Sequence, residues 1–438
     1  MVFVGGVAYV KWYKYNVLQK IENAFAPGYD PALELATYQS KPQGEGTLPN
    51  HPVDELELDF EVDGPSQHLR RKEQDWIDAI IHGKEPGHYF VLLGPKGSGK
   101  GTMVFDAMTV CQADGVAMLD AHPDLEVFRL KLGKAINYEY NEDSQTGLFQ
   151  RRDPREGGPA LDIERALTKL EKVALKVARR RGKPLVLIIN NVHYFKNDDD
   201  GRSMLLQLQQ RAEAWAASGI DDFWPFFVLS IYDLDHKEAM HAATHMHMSV
   251  KKKNISKSMV QQAIEVVGGR LSYLNKVARS KDMVEMAKHI LAVEKAWLRS
   301  QIGLIPDCDD DVMDEQKWSS CSWLLLREFV RLRKEQERVR DEAIAAGQLD
   351  PNNTDLPLPT IPFWRCREIM TRADFLEELD HANIIAIDVQ HDVRPDSMLI
   401  LHAAREVVEE EGFDELLDNV RSRIDEIESL HRTREITV

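Results

Sequence analysis

Seven residues carry the clearest chemistry in this sequence, Gly94-Pro95-Lys96-Gly97-Ser98-Gly99-Lys100. The spacing G-x-x-x-x-G-K is that of a phosphate-binding P-loop. Backbone N–H groups of Gly97, Ser98, Gly99, Lys100 and Gly101 can form an anion nest, and a following helix N-terminus adds positive field. The Lys100 ammonium can reach the terminal phosphate oxygens. The ligand this predicts is ATP or ADP. The pattern then wants Ser or Thr, whose hydroxyl holds Mg²⁺. This chain has Gly101 there and places Thr102 one residue late. On a helix Thr102 is turned about 100° from position 101, so it is a poor substitute as the Mg²⁺ ligand.

The elements that must position this loop read as α/β. "YFVLL" at 89–93 is a strand leading into the loop, and a helix follows over 100–112. "GVAMLDAH" gives a second strand ending at Asp120, and "ALDIERALTKLEKVALKVARRR" a long amphipathic helix. "KPLVLIINNVHYF" gives a third strand, apolar from Leu185 to Ile189, of the kind buried in a parallel sheet with helices on both faces. Helix 202–217 and a fourth strand over 226–234 complete the alternation, which predicts a doubly wound parallel sheet. Upstream, "HLRRKEQDWIDAIIHG" is an amphipathic helix by the spacing of Leu69, Trp76, Ile77 and Ile80. Downstream, Asp235 and Glu238 form a capping box. "SKSMVQQAIEVVGGRLSYLNKVARS" reads as helix, glycine turn, helix. A charged helix over 318–346 follows an acidic connector. Helix, strand, hairpin loop and strand between 371 and 404 suggest a winged helix, closed by a helix over 403–430.

Four stretches resemble the AAA+/STAND class of P-loop ATPases, loosely closest to the AAA+ domain of fungal mitochondrial escape proteins. "RRKEQDWIDAII" corresponds to the nucleotide-cradling helix upstream of the loop. The loop itself is the second, and "PLVLIINNVHYF" occupies the Walker B position. "EVVGGRLSYLNKVAR" looks like the lid motif whose arginine, here Arg270, senses the γ-phosphate. The resemblance implies a P-loop NTPase core over 67–235, a helical lid over 236–300 and a winged-helix-like domain over 301–438. A possible membrane-proximal segment (1–22) and a linker (23–66) precede them. It also implies a nucleotide-dependent switch, mitochondrial location and ring oligomers. Three departures stand against fast hydrolysis. Walker B acids are replaced by the amides Asn190 and Asn191, and a neutral amide cannot act as a general base. Gly101 replaces the Mg²⁺ hydroxyl. Only "GIDDFWPF" stands where another strand, ending in a polar sensor residue, and a helix with an arginine finger belong. Asp120, at a neighbouring strand end, is a candidate substitute acid. The readings are therefore a weak ATPase switch, a non-hydrolysing scaffold with a vestigial loop, or a nucleoside monophosphate kinase. The last rests on the GKGT ending, which resembles adenylate kinases, but their D-G-x-P-R segment and arginine-rich lid are lacking.

Composition narrows the partners. Net charge is −17 over 438 residues, which excludes a bulk nucleic-acid binder. The winged helix is acidic around Asp374, Glu377, Glu378 and Asp380, so protein partners are expected there. Four scattered cysteines form no C-x-x-C pair, which fits a reducing compartment. His241, His245 and His247 lie on or near one helix with no acid close in sequence, and read as solvated surface residues rather than metal ligands. "ARRRGK" and "VKKKN" read as solvated basic runs. The apolar start through Val10, followed by Lys11, Trp12, Tyr13, Lys14 and Tyr15, is about half of the ~20 residues that span a bilayer. Its aromatics and lysines suit a membrane interface, as the tail of a transmembrane helix or a short membrane-docking segment; the alternatives are a strand or helix packed on the domain, in a cytoplasmic protein.

Overall fold

The computed structural model describes residues 2–29, 70–140, 158–217, 226–251, 255–348 and 356–436. Residues 30–66 of the expected linker, Leu69, most of "VKKKN" and nearly all of "GIDDFWPF" lie outside the described residues. The described chain is mostly helical with small sheets. It divides into two compact units, residues 1–93 with 100–230, and residues 94–99 with 231–438.

In the first unit, helix α1 (Val2–Ala24) buries Val17, Ile21 and Ala24 in a core shared with Phe128, Ile163, Leu167 and Leu170. The residues that follow are α2 (Gln74–Ile81), β1 (Tyr89–Leu93), α3 (Lys100–Val110), β2 (Val116–Asp120), α4 (Leu125–Ala135), α5 (Gly158–Arg181), β3 (Val186–Asn190), α6 (Asp199–Ala217) and β4 (Phe226–Ser230). The long helix α5 buries Ile163, Ala166, Leu167, Leu170, Val173 and Val177, spaced by 3, 1, 3, 3 and 4 residues so that they line one helical face. Helix α2 turns Ile77 and Ile81 inward and leaves Trp76 exposed. Its Gln74 side chain donates to the Met103 carbonyl at 3.0 Å, fastening α2 to the helix that follows the loop.

All four strands pair in parallel, β1 with β4 and β2 with β3. One continuous sheet was expected; the described residues hold two two-stranded sheets, with no ladder joining them. The fourth strand is also shorter than expected, ending at Ser230. Only β2 is well buried. Every position of β3 is half-buried, although its sequence is that of a fully covered strand. Among the described residues β2 and β3 each have a neighbour on one side only, so the difference in burial lies in what covers their faces and not in their pairing.

In the second unit, α7 (His236–Lys251), α8 (Lys257–Val267), α9 (Leu271–Arg279) and α10 (Met283–Gln301) form the helical segment after β4. The capping box is present: the Glu238 N–H donates to Asp235 Oδ1 at 2.7 Å. His247 is not a solvated surface residue; it is buried, with Nδ1 2.9 Å from the Ala278 carbonyl. His241 and His245 stack at 6.3 Å. Among the described residues no group of three or more metal-ligating side chains occurs.

Beyond it come α11 (Met313–Ala345), β5 (Ile361–Pro362), α12 (Phe363–Met370), α13 (Ala373–His381), β6 (Ile385–Ile387), β7 (Asp392–Pro395), α14 (Met398–Val408) and α15 (Phe413–Ile436). The antiparallel order is β5-β7-β6. Trp323, Phe329, Leu376, Val393 and Leu401 centre the core, and the Trp323 indole donates to the Ile302 carbonyl at 2.7 Å. The closing helix expected over 403–430 is two helices. Gly412, at φ +85°, takes the left-handed conformation between them.

Candidate nucleotide-binding site

The unit boundary runs through the loop: Gly94–Gly99 cluster with residues 231–438, while Leu93 and Lys100 belong to the first unit. Gly94, Gly97 and Gly99 all hold positive φ, at +149°, +83° and +95°. Space reinforces the requirement. A Cβ on Gly97 would lie 2.3 Å from Ser272 Oγ, and one on Gly94 would lie 2.2 Å from the Ile231 carbonyl oxygen. Ser98 is buried, and its N–H reaches the Pro95 carbonyl at 3.4 Å. Lys100 opens α3, as phosphate-cradling loops require of their lysine. Gly101 is different. Nothing lies within 4 Å of its Cβ position, so neither space nor a positive φ demands glycine there. Thr102 is exposed on the helix surface.

The N-terminus of α9 sits on this loop. The Ser272 N–H donates to the Gly97 carbonyl at 3.1 Å, and a Cβ on Gly99 would come 2.8 Å from Leu271 Cδ1. Arg270 precedes α9, and its Cδ lies 3.6 Å from the Gly97 Cβ position. Its guanidinium is held elsewhere. Nε and Nη2 donate to the two Asp233 carboxylate oxygens, each at 3.0 Å. Nη1 donates to the Asp396 carboxylate and Nη2 to the Asp396 carbonyl. Sequence reasoning assigned Arg270 to a γ-phosphate; here two carboxylates take its donors. Burial works to lower the guanidinium's pKa, but Asp233 and Asp396 outweigh it, so the pKa is raised. Burial raises the Asp396 pKa by desolvating its carboxylate; Arg270 opposes that rise and the nearby Asp233 charge adds to it. Burial and then the Glu294 charge push the neighbouring Tyr273 phenol up to about 12. The sequence carried no sign of this clasp, since Asp396 lies 126 residues from Arg270.

The Walker B position has its own geometry within the first unit. Asn190 ends β3 in register with Asp120 of β2. Asn191 follows in the left-handed region at φ +56°, ψ +41°, where asparagine is enriched. Both amide nitrogens donate to Asp120 Oδ1, at 3.0 Å from Asn190 and 3.2 Å from Asn191. The two amides therefore hold a carboxylate instead of supplying one. Upstream, the arginines of the "RRKEQ" stretch pair locally: Arg70 with Asp75 and Asp78, and buried Arg71 with Glu73.

Residues 299–428, under a third of the chain, match the family described as "Fungal AAA protein, C-terminal winged helix domain". That match covers the winged helix alone; the strand, glycine loop and helix over 89–110 lie outside it. Among solved structures, the chain is similar to the Walker-type ATPase of Pyrococcus abyssi, at 12% identity and a TM-score of 0.40, covering 77% of this chain and 95% of that one. No curated protein matches the chain.

Proposed function

We propose that the chain binds ATP or ADP at Gly94–Lys100 and uses the nucleotide as a conformational switch, with slow hydrolysis. The observation that carries this reading is the loop itself. Three glycines in positive φ, two of them with no room for a side chain, are built between a strand and a helix that starts at the lysine. Slow turnover follows from chemistry at the Walker B position. The two amides are neutral and already donate to Asp120, so neither can polarise a water. Mg²⁺ would have Thr102 or a phosphate-bound water shell in place of a hydroxyl at position 101. On this reading the four parallel strands belong to one doubly wound sheet, and the acidic winged helix docks protein partners, which include further copies of the chain. Calorimetric titration with ADP and with ATP, in the presence and absence of Mg²⁺, tests it. A turnover of about 1 s⁻¹ or more, inside the ordinary enzyme range, would refute the switch assignment.

A second reading has a specific observation in its favour. The α9 N-terminus fills one side of the loop, and the Ser272 N–H is bonded to the loop's own carbonyl. That is what a non-hydrolysing scaffold with a vestigial loop would have, and it predicts no nucleotide affinity. Membrane association, in the mitochondrion, is a further element of the proposal. Tyr9, Trp12 and Tyr15 of α1 are 48–59% exposed, on the apolar segment that also bears Lys11 and Lys14. Among the described residues no helix is long and apolar enough to cross a membrane; the exposed aromatics and lysines suit the interface. Flotation of the full chain with anionic vesicles tests this; failure to float removes the membrane element alone.

A further inference from the structure

We propose that the second unit holds a site for a free aliphatic α-amino acid, in the groove where α8, α10 and α14 meet. The groove has a volume of about 300 Å³, at the lower end of the range of small-ligand pockets. Helix α8 contributes Glu265 and Val266, α10 contributes Val284, Lys288 and Leu291, and α14 contributes His402. Spacings of four and three residues put Val284, Lys288 and Leu291 on one face of α10. The site goes beyond nucleotide binding and does not depend on it.

Charge defines the ligand. Glu265 and Lys288 reach the groove from different helices and do not neutralise each other. Among the described residues Lys288 has no hydrogen bond or ion pair. The Glu265 carboxylate accepts from the neutral Gln261 amide at 3.1 Å and has no ion-pair partner there. His402 sets the orientation. Its ring is hydrogen-bonded to the Glu265 main-chain carbonyl, and desolvation, then the Arg333 charge, lower its pKa below the ordinary histidine value. The ring is therefore neutral at pH 7 and has one acceptor nitrogen left. Carboxylate and acceptor sit together, so they take the ligand's ammonium, and Lys288 takes its carboxylate. Val266, Val284 and Leu291 give the aliphatic side chain an apolar wall. A plain cation or a plain anion would leave one of the two protein charges unmatched; a zwitterion matches both. A ligand seated here touches the helical segment and α14 of the winged helix at once, so binding should hold the three helices together.

The test is calorimetric titration of the full chain with L-leucine, L-isoleucine and L-valine, beside two half-ligands, isocaproate (no ammonium) and isoamylamine (no carboxylate). At least one of the three amino acids should bind saturably, and each half-ligand at least about tenfold more weakly. Lys288→Met and Glu265→Gln change exposed side chains, so both variants should fold as the wild type does and lose about tenfold or more of that affinity. Hydrogen exchange of the wild type should slow at amides of α8, α10 and α14 when the amino acid is added. No saturable binding of any of the three up to about 10 mM, equal affinity in variants and wild type, or a half-ligand as tight as the amino acid would overturn the proposal. Both variants should keep the nucleotide affinity of the wild type, so failure here is distinguishable from failure of the loop.

Discussion

Restoring an acid at Asn190 should destabilise the protein rather than repair it. Asn190 Nδ2 donates to Asp120 Oδ1 at 3.0 Å, and both side chains are half-buried at the ends of paired strands. Asn190→Asp removes a hydrogen bond to a charged acceptor, worth about 1.5–3 kcal/mol. It also sets two carboxylates ~3–4 Å apart, which repel by about 4–5 kcal/mol at an effective dielectric near 20. Uptake of a proton by one of them limits that repulsion, and partial exposure screens it further. The expected net loss is about 2–4 kcal/mol at pH 7.5, shrinking to about 1 kcal/mol at pH 5, where a shared proton replaces the lost amide. Urea unfolding of the wild type and variant at both pH values measures it. A variant within about 0.5 kcal/mol of the wild type at pH 7.5 would show that Asp120 and position 190 do not face each other as described. Recovery of stability in millimolar Mg²⁺ would show that the new carboxylate pair binds a cation.

Three other outcomes follow from the structure. Gly97→Ala meets both a positive φ and Ser272 Oγ at 2.3 Å, so it should cost at least about 1–3 kcal/mol and abolish nucleotide binding; unchanged melting and affinity would refute the packing of α9 on the loop. Gly101→Ser meets open space and should fold normally while making nucleotide affinity depend on Mg²⁺ by about tenfold, near 1.4 kcal/mol; no gain in Mg²⁺ dependence would show that the missing hydroxyl is not the defect. The Glu22 carboxyl is opposed by burial but held below its ordinary range by Lys176 and Arg180, which tie α1 to α5. Because that pKa is lowered on folding, its contribution is present above about pH 4.5 and is lost as pH falls through the lower folded value. Hydrogen exchange in residues 13–24 should therefore accelerate from pH 5 to pH 3 beyond the intrinsic rate change, and Glu22→Gln should remove that excess.

The loop and the strands were legible because their signals are local. The run from Tyr89 to Val110 needs only a strand, three glycines with fixed backbone requirements and a lysine that opens a helix. The paired strands at 116–120 and 186–190 showed as short apolar runs. The role of Asn190 and Asn191 was only half legible. Their types ruled out general-base chemistry, but their hydrogen bonds to Asp120 depend on the parallel register of β2 and β3, set 70 residues apart. Arg270 was placed correctly at a helix start, yet its partners come from loops at 233 and 396, which no periodicity connects. The single sheet was inferred from alternation alone, which fixes strand direction but not which edges pair. The break at Gly412 was missed because the apolar spacing resumes at Phe413 and Leu417, so helical periodicity continues across a turn.

Calorimetric titration of the full chain and of Lys100→Ala with ADP, under identical Mg²⁺, addresses the central claim most directly. The account predicts saturable binding to the wild type, since its glycine loop and helix start are in place, and loss of most of that affinity once the Lys100 ammonium is removed. Equal affinity in the two proteins, or no heat of binding to either, would contradict it.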